Sequence, residues 1–152
     1  MTATSEIVLT IPGKPHGKGR PRFAGGRVFT DARTQSAEAR VLVAWEQAGR
    51  PRIPDDTPIA FLVTQAVQRP RSHWRRDGQL SVAGQREPWP RRKPDFDNAL
   101  KLLADALNGA AYRDDVDVVH AWFVRRWAAP GEPEHTTIVI RPMAAAVGRA
   151  AA

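Results

Sequence analysis

Cysteine is absent from the 152 residues of this chain, which excludes disulfides and thiolate metal sites and leaves nothing that suggests an oxidising compartment. Absent too is any apolar run near the roughly 20 residues a bilayer-spanning helix needs. The opening MTATSEIVLT lacks the basic and apolar regions of a secretory signal, so the expected setting is cytoplasmic, with no membrane partner. Acidic residues are in deficit, 16 against 23 Lys and Arg, for a net charge of +7. A field of that sign concentrates polyanions, and nucleic acid is the commonest of these in a cell. Biased codon usage gives the same total, so the distribution of charge along the chain has to decide. With 42% hydrophobic and 26% charged residues, the chain reads as one globular domain rather than a disordered segment.

Residues 6–11 (EIVLTI) read as a short strand stopped by Pro12-Gly13. The following GKPHGKGRPRF, with Lys14, Lys18, Arg20 and Arg22 among glycines and prolines, reads as an exposed basic loop. After a brief RVF segment, Asp31 can cap a helix over 32–48, with Ala37, Val41, Ala44, Trp45 and Ala48 on one face and Gly49 at its end. Residues 58–68 alternate as a strand, with Ile59, Phe61, Val63 and Val67 together. Residues 69–94 carry eight basic side chains against Asp77 and Glu87 and read as a long irregular loop, a form that is usually functional or disordered. Trp74 and Trp89, set among the arginines, suit stacking on bases and equally suit anchoring the loop to a core. A second helix is expected over 98–108, burying Leu100, Leu103, Ala104 and Leu107 and capped by Asp97 or Asn98. Strands are expected over 116–127, buried on both faces for much of its length, and over 136–141. The sum is an α+β domain over 1–142, a mixed or mainly antiparallel sheet with two helices packed on it, and a frayed tail over 143–152.

Six of the acids fall between Asp95 and Asp117, accompanied only by Lys101 and Arg113. Clustered carboxylates repel unless a cation sits among them, and oxygen donors suit a hard divalent one. Asp95 and Asp97 are two apart after Pro94, which as an extended segment would point them the same way. Lys101 lies one helical turn beyond Asp97. Asp114 and Asp115 occupy the turn that returns toward that helix. Singly, each has a bland reading: Asp97 a helix cap, Asp114-Asp115 a polar turn, Lys101 an i,i+4 partner of Asp105. Together, and next to basic loops, they read as a metal-dependent phosphodiesterase centre.

At KPDFDNALKLLADALNG followed by AYRDDVDVV the sequence resembles the RusA family of Holliday-junction resolvases, small endonucleases common in phages and prophages. The shared pattern is Asp95, Asp97, Asn98, Lys101, the Leu107-Asn108-Gly109 helix end and Asp114-Asp115; IPGKPHGKGRPRF and TDART are similar as well. The resemblance implies an α+β homodimer in a bacterial cytoplasm that uses Mg²⁺ or Mn²⁺ to nick a four-way junction symmetrically, in recombination and repair. It implies Asp95, Asp97 and Asp115 as metal ligands with Asp114 a further one, and Lys101 as the cation beside the scissile phosphate. One departure is the central loop RSHWRRDGQLSVAGQREPWPRR, which is Arg-rich and of no family-diagnostic form. Phosphate contacts are expected from Lys14, Lys18, Arg20 and Arg22 in the first loop and from Arg75, Arg76, Arg91 and Arg92 in the second. Two rival readings are a nuclease for flaps, forks or other branched DNA, and a non-catalytic nucleic-acid-binding module whose acids only cap a helix.

Overall fold

The computed structural model describes residues 6–144, so most of the expected tail lies outside the described residues. A mixed four-stranded sheet runs in the order β1 (Ile7–Pro12), β6 (His135–Pro142), β4 (Ile59–Val67), β5 (Val118–Trp127). β6 is antiparallel to both β1 and β4, while β4 and β5 are parallel. Parallel neighbours need a long crossover, and here it carries the whole acidic segment. A separate exposed hairpin, β2 (Arg22–Ala24) with β3 (Arg27–Phe29), projects from the first basic loop and turns through Gly25-Gly26, both at positive φ.

Two long helices lie on one face of the sheet. α1 (Ala32–Gln47) is capped as expected by Asp31, whose carboxylate accepts from Arg33 N at 2.8 Å. Its Ala37, Val41 and Ala44 are buried. Ala48 falls outside the helix and is exposed. α3 (Phe96–Leu107) packs beside α1. The core between the helices and the sheet holds Ile7, Leu9 and Ile11 of β1, Ile59, Phe61 and Val63 of β4, Ile138 and Ile140 of β6, and Leu102, Leu103 and Leu107 of α3.

Three expectations are corrected. First, α3 buries Ala99, Leu102, Leu103, Ala106 and Leu107, while Leu100 and Ala104 are only partly covered; small alanines, not the outer leucine, face the close helix contact. Second, β5 is an edge strand, with Val119 63% and Trp122 51% exposed, not a strand buried on both faces. The sheet face opposite the helices, which also carries Val8 at 52% exposure, therefore leaves apolar side chains open among the described residues. Third, residues 69–94 are ordered, with a 3₁₀ turn at Arg71–His73, a short helix α2 (Val82–Arg86) and a Trp74–Leu80 bridge. Their anchor is Trp127: its ring lies 4.9 Å from the Arg69 guanidinium and 5.2 Å from that of Arg92, and its Nε1 donates to Glu87 O at 2.8 Å. No helix among the described residues is long and apolar enough to cross a membrane.

Candidate active site

α3 starts two residues earlier than expected. Proline restrains the residue before it, not those after, so helix begins at Phe96 with Asp95 extended as its N-cap, at φ −62° and ψ 151°. Asp97 is thus in the first helical turn, and the strand-like alignment of Asp95 with Asp97 gives way. The two carboxylates open onto adjoining cavities. Asp95 makes no capping bond of its own and pairs with Lys93; it faces a cavity lined by Arg91, Arg92, Lys93 and Arg125. The other cavity lies between α3 and β5, with Asp97, Lys101, Asp105 and Asp115 around it and Phe61, Phe96, Leu100 and Val118 beneath.

That second arrangement follows from helix geometry. Asp97, Lys101 and Asp105 succeed one another at four-residue steps along one face of α3. Asp115 arrives from the 3₁₀ turn Asp115–Asp117 ahead of β5. Tyr112 fixes that turn against α3, its buried hydroxyl donating to Ala104 O at 2.7 Å. Burial and then the carboxylates of Asp115, Asp105 and Asp114 raise the Tyr112 phenol far above its ordinary range, so it stays a neutral donor.

Asp114 and Asp115 share a hydrogen bond, and their environments drive them apart. Asp114 also accepts from Val116 N at 3.3 Å, and these bonds to its charged form, the backbone one first, lower its pKa. The bond from Asp115 to Asp114, then burial and the nearby charges of Asp114 and Asp105, raise that of Asp115. The all-carboxylate donor set fits a hard divalent cation in its chemistry. As they stand, no three His, Asp or Glu side chains among the described residues converge closely enough to hold one.

The cations divide into two kinds. Lys101 is largely exposed at 64%, with its Nζ 3.9 Å from Asp105, so it both borders the cavity and makes the i,i+4 pair weighed as its bland role. Lys18, expected to face phosphate, instead turns inward to Asp105, with Glu38 at 3.6 Å; the Asp105 bond is the main reason its pKa is raised. Its loop is docked on α3, since Lys18 N donates to Asn98 O at 3.0 Å. Lys14 shares a cavity with Arg92, Lys93 and Arg125, so the two basic loops meet beside Asp95. Arg20 and Arg22 are exposed, Arg22 on β2 rather than in a loop. Arg75 and Arg76 lie on the turn closed by the Trp74–Leu80 bridge, where Arg75 pairs with Asp77 at 3.1 Å.

The model of the family described as Endodeoxyribonuclease RusA matches residues 12–141 of the sequence. The chain belongs to the RusA family. Among curated proteins it is similar to one from Bacillus subtilis (strain 168) described as uncharacterized protein YqaN, 31% identical over 116 residues that cover 74% of this chain and 82% of that protein. RusA membership makes the chain an endodeoxyribonuclease in its broad class, and every candidate residue from Lys14 to Asp115 falls inside the matched span. Two residues that line these cavities, Asp105 and Arg125, were not among the sequence candidates. Asp105 was legible as the next four-residue step after Lys101. Arg125 carried a subtler signal, a cation at a position in β5 that faces the helices, two beyond Phe123.

Proposed function

We propose that this RusA-family protein is a metal-dependent nuclease that resolves four-way DNA junctions by paired, symmetric nicks. The carrying observation is one cavity, edged by Asp97, Lys101 and Asp115, in a chain of the endodeoxyribonuclease family. Asp97 and Asp115, with Asp95 from the adjoining cavity and Asp114 beside Asp115, would hold Mg²⁺ or Mn²⁺. Such an ion, when bound, lowers the pKa of a coordinated water and offsets phosphate charge. Lys101 sets an ammonium where negative charge develops on the phosphorus oxygens. Phe61, Phe96, Leu100 and Val118 give the cavity an apolar floor, which strengthens those charges. Around it Lys14, Arg20, Arg22, Arg91 and Arg92 hold duplex arms through phosphates, which position DNA without reading sequence.

Symmetric nicks are most simply made by a two-fold dimer, and the exposed Val8 and Trp122 on the open sheet face support a second copy as partner. The test is cleavage of a synthetic four-way junction against linear duplex, a flap and a fork, with and without Mg²⁺. Paired nicks in the junction alone are expected, with a thousandfold or so lost on Asp97→Asn or Asp115→Asn. Equal cleavage of flap and junction would remove the junction from the proposal, and full activity in a chelator would remove the metal.

A further inference from the structure

Arg125 sits on the face of β5 that looks toward the helices, opposite the buried Gln65 of β4. Its guanidinium is held on three sides. Nε and Nη2 both donate to Gln65 Oε1, at 3.0 and 2.9 Å, Nη1 donates to Arg92 O at 2.6 Å, and the Phe123 ring lies 5.4 Å away. A guanidinium has five N–H donors, and these bonds leave one on each terminal nitrogen. Arg126, next along the strand, is clamped by both oxygens of Glu132. Arg125 has no carboxylate clamp of that kind among the described residues. Burial lowers its pKa, opposed only by the charge of Asp95. A partly buried, oriented cation with no carboxylate at ion-pair distance among the described residues has desolvation that nothing nearby fully offsets, and it can take an anion from outside.

Both unused donors belong to a residue that lines two adjoining cavities, one edged by Arg91, Arg92, Lys93 and Asp95, the other by Lys14, Arg92 and Lys93. A basic, concave, pre-oriented site beside Asp95 matches the fork geometry with which arginine recognises a phosphate. We propose that Arg125 is a positioning residue that grips one backbone phosphate of the DNA next to the cleaved bond, so that the strand enters the acidic cavity in register. The assignment rests on the nuclease reading above, yet its central measurement is binding rather than cleavage.

The probe is a four-way junction in chelator, with affinity measured against salt for the wild-type protein, Arg125→Gln, Arg125→Lys and Gln65→Glu. Gln65→Glu keeps the guanidinium in place but supplies it with a carboxylate, so it answers the question even if Arg125→Gln does not fold. Loss of one phosphate contact lowers the slope of log K against log salt by about 0.9, expected for Arg125→Gln and Gln65→Glu. Arg125→Lys should retain the slope and lose part of the cleavage rate, since a point charge replaces the fork. Ethylating the contacted phosphate should weaken wild-type binding and leave Arg125→Gln unaffected. Slopes unchanged in both Arg125→Gln and Gln65→Glu, or ethylation interference identical in wild type and variant, would overturn the assignment. A wild-type protein that binds and cleaves no branched DNA would instead overturn the function proposed above, a distinguishable result.

Discussion

Gly17 is where the first basic loop meets the start of α3, and adding a single methyl there tests how tightly the two are packed. An ideal Cβ on Gly17 would lie 2.5 Å from Pro94 Cβ and 3.3 Å from Asn98 Cβ. Carbon atoms rest about 3.5–4.0 Å apart, so Gly17→Ala requires a displacement of about 1 Å. Neither Pro94 nor the docked loop can yield freely: Pro94 is a rigid ring, and Lys18 N is bonded to Asn98 O just beyond. Gly17 has no positive φ, so the penalty is steric alone and comparable to overpacking a core, about 1–3 kcal/mol. With a urea slope of about 2 kcal/mol/M, that lowers the midpoint by about 0.5–1.5 M. Any part of the displacement that falls on Pro94 carries Asp95 with it. A misplacement of about 1 Å at a reacting centre costs on the order of a hundredfold in rate. Urea melts and single-turnover junction cleavage, on the same preparation, read the two halves. An unchanged midpoint would refute the packing argument. A lowered midpoint with a normal rate would show that the position of Asp95 does not govern cleavage.

Lys101→Ala should lower the single-turnover rate at least tenfold while changing affinity little, and the reverse pattern would make Lys101 an ordinary phosphate contact. Lys18→Met should cost up to about 1 kcal/mol of stability, its pairs being partly exposed, and should leave the salt slope of DNA binding intact; a slope reduced by about 0.9 would return Lys18 to the DNA surface. The Glu132 carboxylate is held down to about 2, from an ordinary 4.5, first by its hydrogen bonds from Arg126. A depressed acid contributes stability that is complete above its unfolded value and lost as pH falls through the folded one. Between pH 4.5 and 2, therefore, the wild-type urea midpoint should fall more steeply than that of Glu132→Gln, and parallel curves would deny the clamp any role in acid stability.

How far the fold was legible in the sequence depended on which signal each segment carries. α1 was readable because its cap, its apolar spacing and its terminating Gly49 agree, and β1, β4 and β6 because strand alternation is a local property. The face of α3 was not, since Leu100-Leu103-Leu107 and Ala99-Leu102-Ala106 both satisfy a helical period. The packing of α3 buries Ala99, Leu102 and Ala106 along with Leu103 and Leu107, leaving Leu100 and Ala104 to line the acidic cavity. β5 misled for a related reason. A strand apolar on both faces signals burial, but one of those faces lies open on an edge strand, and the pattern does not say what covers it. The 69–94 segment has no period to detect; Arg69, Glu87 and Arg92 order it through contacts with Trp127, far along the chain. At the candidate site, spacing and family pattern pointed to Asp97, Lys101 and Asp115, which line one cavity. The division into two cavities was not, because it hinges on α3 beginning at Phe96 rather than Asn98.

The parallel pairing of β4 with β5 has a kinetic meaning. Everything between Val67 and Val118, including Asp95, Asp97, Lys101 and Asp115, is threaded through the connection that this pairing closes. Closing a segment of that length loses chain entropy before the sheet contacts reward it, so it belongs to the slow, concerted part of folding. The floor of the acidic cavity comes from both strands, Phe61 from one and Val118 from the other. A chain still emerging from the ribosome, or one locally unfolded at β5, therefore carries all the carboxylates but no cavity to gather them. The acidic cavity is complete only when the sheet is.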